Sequence, residues 1–202
     1  MQTSNEYERE YWGKGQLVVG IDEAGRGPLA GPLVVAGVVF PAGYQSEEIY
    51  DSKKLTERKR EELFPRIVED ALFYDIEIVD EKTIDELNIL EATRQAMSRI
   101  ALMAPCQIVL TDAMKLYIDK PTIDIVKGDQ KSVSIAAGSI LAKVTRDHIM
   151  YRLDELYPQY GFRNNKGYPT KDHLEALEKY GVLDIHRRSY RPVMETLQGR
   201  LF

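Results

Sequence analysis

Four carboxylates follow short apolar runs that have the length and composition of buried strands. They are Asp22, Glu23, Asp112 and Asp129. An unpaired carboxylate is costly to bury, so such groups normally pair with a cation or coordinate one. In an α/β sheet, positions at the ends of different strands can converge at one edge. The spacing therefore indicates an acidic site assembled from distant parts of the chain.

Carboxylates without a histidine or cysteine ligand suit a hard cation such as Mg²⁺ or Mn²⁺. Two such ions about 3.5–4 Å apart can activate a water molecule and stabilise a leaving alkoxide in phosphodiester cleavage. Each acid also has a structural alternative. The pair Asp22 and Glu23 could form a polar turn, Asp112 a helix cap and Asp129 a turn residue. Spacing alone leaves these alternatives open.

A Gly-Arg-Gly segment follows the first acidic pair, at Gly25, Arg26 and Gly27. Glycine lets the backbone approach a ligand closely, and arginine binds phosphate with two parallel hydrogen bonds. An anion site that follows a cation site in this way fits the chemistry of a phosphate ester.

The composition is that of an ordinary globular protein, with 202 residues, 44% hydrophobic and 29% charged. We expect one domain with a sizeable core. The single cysteine, Cys106, excludes an intrachain disulfide and reads as a small core residue. The charged N-terminus lacks the apolar stretch of a signal peptide, and no apolar run is long enough for a membrane span. We therefore expect a cytoplasmic protein with no membrane association.

The net charge of −5 does not by itself favour a nucleic-acid partner. Two segments, 53–66 and 160–200, are nevertheless each positive by three charges: six basic against three acidic residues, and eight against five. Local patches matter more than the total for contacts with a phosphate backbone. The alternative is a solvated helix face, so these segments give only weak support.

Strand and helix patterns alternate along the chain. Apolar or alternating runs predict strands at 17–22, 33–40, 71–79, 107–112 and 122–126. Helical spacing predicts helices at 3–12, capped by Thr3 or Ser4, and at 57–70, 89–103, 134–156 and 170–180. The first connection is short enough for a hairpin, whereas later strands follow longer crossovers. We therefore predict an α/β fold with a mixed sheet.

The chain resembles the type 2 ribonuclease H family, bacterial ribonuclease HII. The matching stretches occur in order along nearly the whole chain: GIDEAGRGPLAGP (20–32), DSKKL (51–55), Thr111-Asp112, KGDQKSVSIAAGSILAKVTRD (127–147), NKGYPT (165–170) and HRRSY (186–190). A lone DEAG would be a weak signal, whereas the ordered set is specific. One departure is Gly138, where the family usually has alanine, and it bears on helix packing.

The resemblance implies a ribonuclease H-like fold, in which a central mixed five-stranded sheet is flanked by helices and followed by a helical C-terminal portion. It implies a single catalytic domain over 1–202, with about 157–202 as an extension that contributes to substrate binding. The family cuts the RNA strand of RNA/DNA hybrids. It also nicks duplex DNA on the 5′ side of a single ribonucleotide, leaving a 3′-hydroxyl and a 5′-phosphate, with a two-ion Mg²⁺ or Mn²⁺ site.

The resemblance also assigns roles to individual residues. The family's metal-binding acids correspond to Asp22, Glu23, Asp112 and Asp129. Its Gly-Arg-Gly motif corresponds to Gly25, Arg26 and Gly27, and its junction-sensing tyrosine to Tyr168. Without the resemblance, Tyr168 would be read as a partly buried loop aromatic.

Six basic side chains are candidate phosphate contacts, with a plain surface charge as the alternative for each: Lys53, Lys143, Arg146, Lys166, Arg187 and Arg188. We expect His148, His173 and His186 to be structural, because bound ions would perform the activation.

We expect a monomer whose partners are RNA/DNA hybrids and ribonucleotide-containing duplex DNA. The tail, Gly199-Arg200-Leu201-Phe202, ends in a short hydrophobic pair, Leu201 and Phe202, which is either a docking motif, with a replication clamp as the candidate partner, or has no binding role. Two other functions stay open at this point: a non-catalytic nucleic-acid or nucleotide-binding module that uses the glycine turn alone, and a metal-dependent nuclease that acts on DNA.

Overall fold

The structure, a computed structural model, describes residues 5–199. These residues form two compact units, the first built from 5–24, 34–77 and 93–144 and the second from 25–33, 78–92 and 145–199. The predicted caps Thr3 and Ser4 and the candidate docking pair Leu201 and Phe202 lie outside the described residues. The expectation of one catalytic domain with an extension from about 157 stays a prediction.

Five strands form one mixed sheet. They are β1 (Val18–Ala24), β2 (Leu33–Val39), β3 (Phe73–Val79), β4 (Ile108–Asp112) and β5 (Thr122–Ile125), in the order β3-β2-β1-β4-β5. Strand β1 is antiparallel to β2 and parallel to β4, and β4 is parallel to β5. The mixed five-stranded sheet is thereby confirmed.

The register of the parallel strands places the acids at one end of the sheet. Ile21 of β1 lies opposite Thr111 of β4, so the next residue of each strand is an aspartate. Every residue of β2 is buried, as are the first five of β1. Asp22 therefore ends the buried part of its strand, at the level where Asp112 ends β4.

Eight α-helices and two short 3₁₀-helices accompany the sheet within the described residues. The α-helices are α1 (Glu6–Trp12), α2 (Glu57–Asp70), α3 (Glu81–Leu87), α4 (Ile89–Met103), α5 (Val133–Leu156), α6 (Phe162–Asn165), α7 (Lys171–Tyr180) and α8 (Arg191–Gly199). The 3₁₀-helices are Gly128–Gln130 and Pro158–Tyr160. Four predicted helices agree with α2, α4, α5 and α7 within one residue, and the C-terminal portion is helical as expected. No helix in residues 5–199 has the length and apolarity needed to cross a membrane.

The long helix α5 is fixed at its start by a buried carboxylate. Oε1 of Glu8 accepts hydrogen bonds from the Ser132 hydroxyl at 2.5 Å and from the Ser134 backbone N–H at 3.0 Å. An acidic group at a helix N-terminus satisfies N–H groups that have no partner within the helix. Burial raises the pKa of Glu8, because removing an ionised carboxylate from water costs free energy.

One turn further along, α5 approaches β1 and β2 so closely that a side chain would not fit. A Cβ atom on Gly138 would lie 2.7 Å from the Ala36 carbonyl oxygen and 3.4 Å from the Asp22 nitrogen. The departure from the family's usual alanine therefore lies where the helix packs on the sheet, beside the first acid.

The second unit has its own apolar core. Its members include Ala30, Met150, Tyr160, Phe162 and Ala176, and a smaller cluster joins Leu29, Leu177 and Val193. The segment Gly25–Leu33, hereafter the glycine loop, contributes to both clusters. The loop that carries the Gly-Arg-Gly motif thus packs against the C-terminal helices.

Candidate active site

Asp22 is held as a buried carboxylate, with 5% of its surface exposed. Its Oδ1 accepts a hydrogen bond from the Glu23 N–H at 2.7 Å. Burial raises the pKa of Asp22 well above its ordinary value, and the charges of Glu23 and Asp112 raise it further. Three of the predicted acids therefore act on one another electrostatically, as adjacent parallel strand ends require.

Asp112 and Asp129 are brought together by the turn that follows β5. Oδ1 of Asp112 accepts a hydrogen bond from the Gly128 N–H at 2.8 Å, so the residue before Asp129 is tied to the end of β4. Burial, together with the charges of Asp112 and Asp51, raises the pKa of Asp129 to about 6. The structure places all four predicted acids in the first unit. Glu23 and Asp112 repel the charge of Asp22, and Asp112 repels that of Asp129.

A fifth carboxylate, Asp51, belongs to the same cluster and was not predicted as a site residue. It is buried, and it accepts hydrogen bonds from the Lys53 N–H at 3.0 Å and from the Gln130 side chain at 3.2 Å. Its charge contributes to raising the pKa of Asp129. The match to DSKKL was the available signal, but a sequence motif does not show which of its members points inward.

Lys53 provides positive charge beside these acids. Burial by itself would lower the pKa of Lys53, yet the charges of Asp129, Asp22 and Asp112 outweigh it and raise that pKa. Lys53 is therefore held close to the acidic cluster, although its side chain is exposed at the surface.

Two serines missed by sequence reasoning support Asp22. The Ser139 side chain of α5 is hydrogen-bonded to Asp22, and its Oγ lies 2.9 Å from Oγ of Ser52. An ionised carboxylate only accepts, so Ser139 donates to Asp22 and in turn accepts from Ser52. In the sequence, their only signal was that both lie in stretches that match the family. A serine by itself gives no functional signal, because at a helix start it usually indicates packing or capping.

The donor set fits a hard divalent cation. It consists of carboxylate oxygens, which are the ligands that Mg²⁺ and Mn²⁺ prefer. Burial, and after it the charges of neighbouring carboxylates, raises the pKa of Asp22 and of Asp129, and a cation at this position would relieve the repulsion between them. Within residues 5–199, no group of three or more His, Cys, Asp or Glu side chains is already drawn together closely enough to hold an ion. The acids are thus neighbours in the fold without forming a closed ligand cage.

Two arginines predicted to contact phosphate are buried in the second unit and hold the glycine loop instead. Arg187 is fully buried and donates to the carbonyl oxygens of Gly25 at 2.6 Å, Gly31 at 2.8 Å and Arg26 at 3.1 Å. Arg146, 1% exposed, donates to three further carbonyls, of Pro32, Ala30 and Lys166.

The prediction of direct phosphate contacts is wrong for both arginines in this structure, because their guanidinium groups are shielded from solvent and bonded to backbone. Burial and the charge of Arg187 lower the pKa of Arg146 to about 10, so it stays charged at neutral pH. The other four basic candidates are accessible: Lys53 and Arg188 are exposed, and Lys143 and Lys166 are half-buried.

The glycine loop depends on glycine at Gly25. The residue has a φ of +102°, and a Cβ there would lie 2.2 Å from Nε of Arg146. Two residues on, Gly27 faces the ring of Tyr168, since a Cβ on Gly27 would lie 3.3 Å from Cε1 of that ring. Tyr168 is 44% exposed, and Arg26 is exposed as well. Arg26, Gly27 and Tyr168 are thus accessible in the second unit, whereas Gly25 is buried behind them.

Comparisons with known proteins point to one family. The family model for ribonuclease HII matches residues 19–193. Ribonuclease HII of Clostridioides difficile is 54% identical over 194 residues, covering 94% of this chain and 76% of the relative. Ribonuclease HII of Lactobacillus delbrueckii is 50% identical over 191 residues, 94% and 75% of the two chains.

Solved structures share the fold. Ribonuclease H2 from Pyrococcus horikoshii superposes with a TM-score of 0.75 at 28% identity, covering 91% of this chain and 98% of that one. The Archaeoglobus fulgidus enzyme, solved as a PCNA:RNase HII complex, gives a TM-score of 0.74 at 27% identity, with 87% and 95% covered. Bst-RNase HIII in complex with Mn²⁺ gives 0.67 at 15% identity, with 90% and 69% covered, and shows the fold alone.

Proposed function

Because the chain belongs to the ribonuclease HII family and is thus a hydrolase, a ribonuclease H that acts on RNA/DNA hybrids, we propose that it also nicks duplex DNA on the 5′ side of a single ribonucleotide. The products would be a 3′-hydroxyl and a 5′-phosphate. The observation that supports this most directly is the meeting of Asp22 and Asp112 at the ends of adjacent parallel strands, where burial, followed by the charges of Glu23 and Asp112, raises the pKa of Asp22.

In this proposal Asp22, Glu23, Asp112 and Asp129 hold the divalent cations. Bound Mg²⁺ or Mn²⁺ would activate the attacking water and stabilise the leaving oxygen of the scissile phosphodiester. The chain's own residues prepare the site for that charge. Ser139 and Ser52 fix the orientation of Asp22, and Lys53 supplies a positive charge beside the carboxylates.

The glycine loop and Tyr168 would recognise the ribonucleotide. Only the 2′-hydroxyl distinguishes RNA from DNA at a given site, and backbone groups of Gly25 to Gly27 can approach it because no Cβ intervenes. Arg26 would hold an adjacent phosphate, and the Tyr168 ring would stack on the sugar or base. Arg187 and Arg146 would act from behind the loop, by fixing the carbonyls that define its shape.

A labelled duplex with one ribonucleotide tests the proposal. We expect one nick on its 5′ side with Mg²⁺ or Mn²⁺, none after chelation, and none in an all-DNA duplex of the same sequence. Cleavage of the all-DNA duplex would favour a DNA nuclease, and binding without any metal-dependent product would favour a non-catalytic module. An RNA/DNA hybrid serves as the control for an active preparation.

Replacing Tyr168 by alanine should reduce kcat/KM on the single-ribonucleotide duplex by about tenfold more than on a long hybrid, because stacking on one base contributes about 1–3 kcal/mol. A long hybrid offers ribose at every position and depends less on reading a junction. Tyr180→Ala, at an exposed tyrosine of the same unit, is the matched control. Equal losses on both substrates would remove the junction-reading role of Tyr168.

We further propose a cytoplasmic enzyme that acts as a monomer and meets its substrate in replicated DNA. The Archaeoglobus fulgidus relative was solved bound to PCNA, which supports a replication clamp as a partner here. Co-elution of this chain with a purified sliding clamp would test that partner.

A further inference from the structure

Two buried histidines of the second unit contact each other directly. Nε2 of His173, in the first turn of α7, lies 3.1 Å from Nε2 of His186, and the two side chains are 0% and 1% exposed. Neither belongs to the proposed catalytic machinery. A buried polar pair of this kind must satisfy its hydrogen bonds internally.

The hydrogen-bond partners determine the proton positions of both rings. Nδ1 of His173 lies 2.9 Å from the Tyr168 carbonyl oxygen, which can only accept, so this nitrogen carries a hydrogen. Nδ1 of His186 accepts from the Leu183 backbone N–H at 2.9 Å, so it carries none. In neutral rings the remaining hydrogen of His186 is on Nε2 and is donated to His173.

The surroundings favour the neutral state that this pattern requires. The rings of Tyr160 and Phe162 pack around the pair, with the Phe162 centroid 5.3 Å from that of His173 at an interplanar angle of 85°. Burial lowers the pKa of His173, and burial followed by the neighbouring His173 lowers the pKa of His186 to about 4. The pair is therefore uncharged at neutral pH, and its hydrogen bonds have one direction.

These hydrogen bonds provide a second connection between the glycine loop and Tyr168. His186 forms an isolated β-bridge with Ala30 of the glycine loop, and the loop's Leu29 N–H donates to the Gly167 carbonyl at 2.7 Å. At the other end, His173 holds the Tyr168 carbonyl, and the Tyr168 ring lies against Gly27. The loop and the tyrosine are thus joined twice, once through backbone and once through the two imidazoles.

We propose that His173 and His186 are positioning residues, which fix Tyr168 against Gly27 through the hydrogen bonds Leu183–His186–His173–Tyr168 and thereby set the preference for a single ribonucleotide. The proposal rests on the proposed function, since it assigns to Tyr168 the reading of that ribonucleotide. It adds two residues that touch neither the phosphate nor the carboxylates.

Two substitutions of His173 separate the hydrogen bonds. Asparagine places an amide nitrogen near the position of Nδ1 and keeps the bond to Tyr168, whereas glutamine reaches the position of Nε2 and keeps the bond to His186. The measured quantity is the ratio of kcat/KM on the single-ribonucleotide duplex to that on a long hybrid. We expect His173→Gln to lower this ratio about tenfold and His173→Asn to leave it within about threefold, at comparable melting temperatures.

The same ratio in a Tyr168→Ala background tests whether His173 acts through the tyrosine. We expect His173→Gln to cause no further loss there, because the group that it positions is gone. Equal ratios for the two His173 variants, or a full further loss in the Tyr168→Ala background, would overturn the proposal.

Nitrogen chemical shifts of the two imidazoles give a readout independent of cleavage. We expect His173 protonated on Nδ1 and His186 on Nε2 in the free protein, and the opposite tautomers would contradict the hydrogen-bond chain. Failure of the wild-type enzyme to nick the single-ribonucleotide duplex would refute the proposed function itself. Wild-type nicking with indistinguishable variants would refute only the positioning role.

Discussion

Asp22→Asn is expected to lower kcat/KM on an RNA/DNA hybrid by about three orders of magnitude, because activation of the attacking water depends on bound cations. Substrate binding should stay within about threefold, since the phosphate contacts are made by other residues. The folded chain holds the Asp22 proton more tightly than the unfolded chain does. Ionisation at neutral pH therefore costs folding stability, and asparagine should leave the melting temperature equal or higher.

Binding of the ion can be followed without activity. Mn²⁺ should raise the melting temperature of the wild-type protein, because a ligand that binds only the folded state stabilises it, and it should raise that of Asp22→Asn much less. Asp119→Asn, the same change at an exposed aspartate of the first unit, is the matched control. Near-normal turnover by Asp22→Asn would count heavily against the metal-binding assignment.

Arg187→Lys is expected to lower kcat/KM about a hundredfold, both on an RNA/DNA hybrid and on the single-ribonucleotide duplex. It should also destabilise the fold by about 3 kcal/mol. The guanidinium reaches the carbonyls of Gly25, Arg26 and Gly31 from one buried position. A lysine keeps the charge, but its single ammonium group cannot reproduce that planar fork. Carbonyls that lose their donor remain buried, and the glycine loop loses its fixed shape.

Two measurements separate the effects of Arg187→Lys on stability and on activity. Urea unfolding gives the loss of stability, and cleavage kinetics at a temperature where the variant is folded give the loss of activity. Arg191→Lys, at a neighbouring arginine whose side chain is 84% exposed, should change neither stability nor activity. Wild-type stability together with wild-type kinetics for Arg187→Lys would show that the loop does not need these hydrogen bonds.

The sequence by itself determined much of the architecture. Runs such as 17–22 and 107–112 have the continuous apolar composition of strands buried on both faces, and the structure has strands there. Thr56 and Thr170 cap α2 and α7 with their own hydroxyl groups. Such a cap involves only the threonine and the three residues after it, so it can be read from the local sequence. The four acids were predicted as a site because charge at the end of an apolar run is costly, and the family resemblance then assigned them their role.

Other features depended on contacts between residues far apart in the chain. Helix α3 begins at a side-chain cap on Asp80, but its seven residues are too few for a clear apolar period, and it was missed. Asp51, Ser52 and Ser139 read as loop and helix-start residues until folding places them beside the acids. Burial of this kind has no local signal, because it is imposed by neighbours that the sequence does not reveal.

The two adjacent arginines show most clearly what the sequence determined and what only the structure decided. From the sequence, Arg187 and Arg188 are adjacent and equivalent cations, and both were predicted to contact phosphate. In the structure Arg187 is fully buried and bonded to the backbone of the glycine loop, whereas Arg188 is exposed and paired with Asp184. The sequence determined which residue types the site would contain. Only the tertiary structure decided which of them face solvent, because the direction of a side chain depends on the packing around it.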